Sequence, residues 1–160
     1  MQPQQPACLI VFVCTGNTCR SPLAEALFKK RLADELGCTA EELSGRGYHV
    51  VSAGVAALEG EPAAAEAVEV ARAYGADLTA HQSQMLFPEL AAQADFLVAM
   101  THAHLQTLAE WFPETQGVPR LLNPQGEDLA DPIGMGPDVY EECARQIWQD
   151  LEPLAKEVRR

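Results

Sequence analysis

The chain has 160 residues, 48% of them hydrophobic, and its 23 acidic against 11 basic side chains leave a formal net charge of −12. That length supports one hydrophobic core without staples, and the charge, with neither a basic stripe nor a lysine-rich run, argues against nucleic acid or an anionic membrane as partner. No apolar run approaches membrane-spanning length, the start lacks a basic-then-apolar leader pattern, and five cysteines, an odd count, do not read as a disulfide framework, so a soluble cytoplasmic protein is expected.

Residues 1–7 read as a short N-terminal tail, followed by a single domain over 8–160. The apolar, β-branched run Cys8-Leu9-Ile10-Val11-Phe12-Val13 has the length and composition of a strand buried on both faces. A loop follows, and Pro22 then suits a first helical position, with Leu23, Ala24, Ala26, Leu27, Lys30 and Arg31 at helical spacing. Residues 36–47, broken by Gly37, Gly45 and Gly47, read as a connection. Tyr48 to Gly54 reads as a second strand, and Pro62 is expected to open a helix running to about Tyr74 with Gly75 as its stop. A short helix over Leu86 to Gln93 precedes a third strand, Phe96 to Met100. His104 to Phe112 is helical, Arg120 to Leu122 a weak fourth strand, and Val139 to Val158 a terminal helix. Strands alternating with helices predict an α/β fold: a doubly wound, four-stranded parallel sheet with helices on both faces. Ligands of such sheets sit at the carboxyl ends of the strands, where Cys14, Ser52 and Met100 fall.

The loop Cys14-Thr15-Gly16-Asn17-Thr18-Cys19-Arg20-Ser21 is the chemically loaded segment. At a strand-to-helix junction the free amides of a concave loop and of the helix N-terminus converge on one point, and the helix dipole favours an anion there. Five residues between Cys14 and Arg20 let one loop wrap the three peripheral oxygens of a phosphoryl group, while the guanidinium fork closes the ring. The same field favours the thiolate of Cys14, and Ser21 is placed to donate a hydrogen bond to that sulfur. Gly16 and Asn17 are residue types that tolerate the left-handed backbone that such a turn requires. The acidic net charge disfavours long-range attraction of phosphorylated partners, so binding must rely on this local field.

Other readings stand beside this one. Cys14 and Cys19 could form a metal half-site, but no second Cys or His pair lies at zinc-like spacing. His102 and His104 are two apart, which could be a metal pair on a strand; without a third ligand they read as a loop and a helix start. Asp131, before Pro132, could be only a turn residue. With the phosphate loop present it becomes the candidate proton donor for a leaving atom, aimed by the extended backbone that the proline imposes. Asp128 is a nearby competitor without the proline.

The run Cys-Thr-Gly-Asn-Thr-Cys-Arg-Ser-Pro over 14–22 resembles the signature loop of the low molecular weight protein tyrosine phosphatase family, and Asp131-Pro132 matches that family's late Asp-Pro pair, with similarity spanning about Cys8 to the terminal helix. The resemblance implies a cofactor-free, metal-free protein phosphatase acting as a monomer on phosphorylated protein. Cys14 would be the nucleophile, Arg20 the phosphate-binding arginine and Asp131 the general acid. Thr15, Gly16, Asn17, Thr18, Cys19 and Ser21 would form the binding loop. It also implies that Asn17, Ser21, Ser52 and His81 form a hydrogen-bonded network holding the loop, whereas from the residues alone His81 reads as an ordinary surface histidine after a helix.

Thr18 departs from the aliphatic β-branched residue that tyrosine phosphatases of the family more often carry. Bacterial protein arginine phosphatases resemble this chain there and in Ala99-Met100-Thr101-His102. Ile133 replaces an aromatic residue that the family usually places two after the Asp. Both differences lean towards phosphoarginine over phosphotyrosine, against the reading of Thr18 as a neutral substitution. A thiol-dependent arsenate reductase of the same fold would need two further cysteines close together downstream, whereas Cys38 and Cys143 are far apart. A non-catalytic phosphate-binding module is the remaining alternative. Cys19 reads either as a small buried hydrophobe or as the thiol that traps an oxidised Cys14 as a reversible disulfide.

Overall fold

A computed structural model describes residues 7–159. The expected tail over 1–7 lies outside the described residues except for exposed Ala7. Strand β1 (Cys8–Cys14) pairs in parallel with β2 (Tyr48–Gly54) on one side and β3 (Phe96–Ala99) on the other. Strand β4 (Arg120–Leu121) extends the β3 edge, giving the order β2-β1-β3-β4. The expected four-stranded parallel sheet is thus present among the described residues. Because β1 is central, its alternate side chains enter two separate cores. Ile10 and Phe12 face α1 (Arg20–Leu36), α2 (Ala65–Ala73) and α5 (Pro137–Val158), with the Phe12 and Phe28 rings meeting edge to face at 5.6 Å. Val11 and Val13 face α3 (Pro88–Gln93) and α4 (His102–Trp111). Helices therefore cover both faces, and the continuous apolar run of β1 follows from that double burial.

The chain leaves β1 for β2 on one side and reaches β3 on the other, which opens a crevice at the carboxyl end of β1. Cys14 is the last residue of that strand and lies in register with Gly54 of β2.

Helices α3 and α5 begin at Pro88 and Pro137, each two residues from the expected Leu86 and Val139, and three further helix starts differ from expectation for local reasons. Pro62 does not open α2, because residues 61–64 run extended against neighbours: the Ser83 N–H donates to the Glu61 carbonyl at 2.8 Å and the Ala64 N–H to the Thr18 carbonyl at 2.9 Å. Helix α4 starts at His102, two residues early, because the Thr101 hydroxyl accepts the His104 N–H and caps it. Helix α1 begins at Arg20, before Pro22, so the arginine itself belongs to the first turn. The 36–47 connection contains two short 3-10 turns, and between them Leu43 is buried in the core. Among the described residues no helix is long and apolar enough to cross a membrane.

Candidate active site

The loop from Cys14 to Ser21 wraps the end of β1 and runs into α1. Cys14 is 3% exposed, and its Sγ lies 2.8 Å from the Ser21 hydroxyl. Asn17 adopts φ +58°, the left-handed region, and is fully buried; Gly16, expected to share that role, has no positive φ. The turn therefore rests on a single left-handed residue. Asparagine tolerates it because its short polar side chain makes local hydrogen bonds.

The proton directions around Asn17 can be assigned from its neighbours. The Gln84 main-chain N–H can only donate, and it does so to Asn17 Oδ1 at 2.9 Å, so the side-chain nitrogen must face the other way. That nitrogen donates at 2.9 Å to both Ser21 Oγ and Ser52 Oγ. The Ser52 hydroxyl then donates to Glu25 Oε1 at 2.8 Å, and Lys29 holds the other oxygen of that carboxylate at 2.7 Å. Ser21 accepts from Asn17, which leaves its own proton for Cys14 Sγ; its other partner, the Ala53 carbonyl, is farther away at 3.5 Å. His81 contributes through Nε2, 2.7 Å from the Asn17 carbonyl. The structure thus brings Asn17, Ser21, Ser52 and His81 together.

Arg20, 6% exposed, spans from this loop to the segment that carries Asp131. Its Nη1 donates to the Leu129 carbonyl at 2.9 Å, and Nη2 lies 3.5 Å from Asp131 Oδ2. The Asp131 side chain is 48% exposed, and its Oδ1 accepts the Ile133 N–H at 3.2 Å. Upstream the segment is pinned: the Leu129 N–H donates to the Met100 carbonyl at 3.0 Å, and Asp128 Oδ1 accepts the His102 N–H at 2.8 Å with His102 Nδ1 at 2.7 Å. These bonds hold the Asp128 carboxyl below its ordinary range. Asp128 is thereby committed to His102, and Asp131 is the carboxylate left beside the arginine.

Thr15 and Thr18 occupy different surroundings. Thr15 is exposed, with Oγ1 2.8 Å from Nε2 of buried His104, whereas Thr18 is half-buried, its Oγ1 3.8 Å from Cys19 Sγ. Cys19 is buried beside the Tyr140 hydroxyl at 3.3 Å. His102 and His104 serve separate loops, and among the described residues no group of three His, Cys, Asp or Glu side chains is arranged to hold a metal ion.

Several residues at the site carried no sequence signal of their role. Glu25, Gln84, His104 and the Leu129 carbonyl all arrive from distant segments. Gly54 had a faint one, a glycine ending a strand: a Cβ there would lie 2.4 Å from the Thr15 carbonyl oxygen and 3.1 Å from the Asn17 nitrogen. Only glycine lets β2 approach the loop so closely.

Residues 9–160 match the family described as low molecular weight phosphotyrosine protein phosphatase. The chain is 36% identical over 155 residues to a protein-arginine-phosphatase of Bacillus subtilis, covering 94% of this chain and 97% of that one. It is 34% identical over 151 residues to EpsP of Ralstonia nicotianae, described as a probable low molecular weight protein-tyrosine-phosphatase, with coverage of 94% and 95%. Among solved structures it resembles a cysteine-to-serine mutant of the arginine phosphatase YwlE whose active-site serine is phosphorylated, with a TM-score of 0.82, 36% identity and coverage of 95% and 96%.

Proposed function

The chain belongs to the low molecular weight phosphotyrosine protein phosphatase family and is a protein phosphatase, and from that premise we propose that it cleaves phosphoarginine in proteins through a phosphocysteine intermediate, without a metal or other cofactor. Cys14, as thiolate, attacks phosphorus in line. The S–P bond forms as the P–N bond breaks, and protonated Asp131 gives its proton to the departing nitrogen. Arg20 and the amides of Thr15 to Ser21 hold the equatorial oxygens. Asp131, now a carboxylate, takes a proton from water; the water oxygen displaces sulfur, and phosphate leaves with Cys14 restored. Ser21 supports the sulfur first as nucleophile and then as leaving group, through the proton that Asn17 leaves it free to donate. Asn17, Ser52 and His81 hold the loop in shape.

One observation carries the phosphoarginine reading: the Asp131 carboxylate already stands 3.5 Å from a guanidinium, that of Arg20, and is half-exposed to a second one. A substrate guanidinium can reach that carboxyl group, whose protonated form gives its proton to the departing nitrogen. Thr18 lines the loop with a hydroxyl, and Ile133, 60% exposed, offers no ring for stacking. Phosphotyrosine is the second reading, favoured by the family description and by the relative in Ralstonia. An arsenate reductase has less support: burial pushes the Cys143 thiol up to about 12, which makes it a poor relay. A non-catalytic module has less support still, given the donor chain ending on Cys14. We place the enzyme in the cytoplasm as a monomer, as one domain over 8–160.

The test is hydrolysis of two peptides of identical sequence, one carrying phosphoarginine and one phosphotyrosine, by the wild type and by Thr18→Ile. The reading expects a preference for phosphoarginine that Thr18→Ile reduces or reverses. Preference for phosphotyrosine, unchanged by that substitution, overturns it.

A further inference from the structure

His104 lies outside the phosphate loop and the acid segment, yet it is closely constrained. It is 5% exposed, its Nε2 is 2.8 Å from Thr15 Oγ1, and its Nδ1 is buried with no hydrogen-bond partner among the described residues. Its main-chain N–H is held by the Thr101 hydroxyl at 3.2 Å in the first turn of α4. Burial, reinforced by the Arg20 guanidinium and only partly offset by Asp128 and Asp131, pushes the imidazole down to about 4. At neutral pH the ring is therefore uncharged and carries a single N–H.

The surroundings select which nitrogen carries it. A proton on Nδ1 would leave a buried N–H donor without an acceptor, the rarer and costlier defect. A proton on Nε2 leaves only a lone pair unmatched and makes Nε2 the donor to the Thr15 oxygen. The Thr15 hydroxyl then cannot donate to His104, so its own proton turns elsewhere. Thr15 directly follows Cys14, is exposed at the mouth of the loop, and has its carbonyl tied by the Ala56 N–H at 2.9 Å. Main chain and side chain are thus held from opposite walls of the crevice.

We propose that His104 is a positioning residue that donates from Nε2 to Thr15 and so makes the Thr15 hydroxyl a committed donor to the phosphoryl group of the substrate. The inference rests on the phosphatase reading above. It adds one oriented donor beyond the loop amides and Arg20, supplied by a side chain that α4 controls.

The test is a double-mutant cycle with p-nitrophenyl phosphate as substrate and inorganic phosphate as inhibitor. His104→Ala and Thr15→Val are each expected to weaken phosphate inhibition and kcat/KM roughly five- to tenfold, the worth of one hydrogen bond. The double variant is expected to lose no more than Thr15→Val alone, because both changes remove the same donor. His104→Gln, whose amide nitrogen reaches the Nε2 position, is expected to recover most of the loss, while Thr15→Ser stays near wild type. Losses that multiply in the double variant, or a glutamine no better than alanine, would make His104 a packing residue and overturn the proposal. If His104→Ala does not fold, His104→Phe, which keeps the ring volume, takes its place in the cycle. A wild type that hydrolyses no phosphomonoester or phosphoarginine sinks the phosphatase reading itself, whereas an active wild type with multiplying losses sinks only this inference.

Discussion

Arg20 is held by a main-chain oxygen of the opposite loop: its Nη1 donates at 2.9 Å to the Leu129 carbonyl, and both residues are buried. One arm of the guanidinium is thereby spent on orientation, and the other, Nη2, lies 3.5 Å from Asp131 Oδ2. A lysine can supply the charge but not the fork together with this anchor. Arg20→Lys is therefore expected to lower kcat/KM for an aryl phosphate at least about 100-fold, and Cys14→Ser to abolish turnover. Steady-state kinetics on the purified variants checks both, and substantial turnover by Cys14→Ser would remove the nucleophile from the scheme.

The Asp131 side chain is 48% exposed and lies 3.5 Å from the Arg20 guanidinium, whereas Asp128 is tied to His102, which makes Asp131 the general acid of the proposed scheme. Asp131→Asn should slow turnover by about 10²- to 10⁴-fold, and the loss in kcat/KM should be greater for phenyl phosphate than for p-nitrophenyl phosphate, whose leaving group needs less protonation. Asp128→Asn should cost far less. Equal sensitivity of the two substrates to Asp131→Asn would argue against proton donation by this carboxyl.

At Gly54 the limit is space. The β-carbon of an alanine would overlap the Thr15 carbonyl oxygen at 2.4 Å, and main-chain atoms cannot swing aside as a flexible side chain can. Gly54→Ala is expected to displace the loop, reducing activity at least about tenfold and stability by about 1–3 kcal/mol. Urea unfolding beside kinetics measures the two effects; an alanine variant with wild-type turnover would show that the loop accommodates the shift.

The imidazole of His104 titrates at about 4 in the folded protein against an ordinary 6.5. Between those values the unfolded chain binds the extra proton and the folded one does not, so stability falls as pH drops from about 6.5 to about 4 and this contribution then levels off. Asp128, whose folded carboxyl lies below its ordinary range, adds a loss only at more acid pH. Unfolding free energies measured across this range should fall less steeply in His104→Gln than in the wild type. Parallel curves would mean that the histidine does not carry the effect.

Cys14 and Cys19 are both free and buried on one loop, with Cys19 beside the Tyr140 hydroxyl. Peroxide is expected to link them reversibly, with activity restored by a thiol, and Cys19→Ser should lose that recovery as Cys14 oxidises further. Mass analysis of peroxide-treated protein that finds no Cys14–Cys19 link would end the idea.

Much of the fold was legible because its signals are contiguous. The apolar run of β1, the alternation of strands and helices, and the loop between Cys14 and Ser21 are each written within a few neighbouring residues. Pro62 misled for the same reason: proline chemistry suits a helix start, but hydrogen bonds from Ser83 and to Thr18 keep residues 61–64 extended. Gly16 misled in the opposite way, since the left-handed turn it was expected to share is made by Asn17 alone among the non-glycine residues described.

By itself the sequence determined the chemistry available at the site: a thiol, an arginine and an anion-sized loop at a strand-helix junction, with an aspartate before proline far downstream. Tertiary structure alone decided how those groups are aimed. Arg20 is oriented by the Leu129 carbonyl, Ser21 is left with a proton for Cys14 because Asn17 already donates to it, and Thr15 is engaged by His104 from a helix 89 positions away. Each of these depends on which group donates and which accepts across segments that meet only after the sheet has formed. Hydrogen-bond direction is set by three-dimensional neighbours, and the order of residues along the chain does not encode it locally.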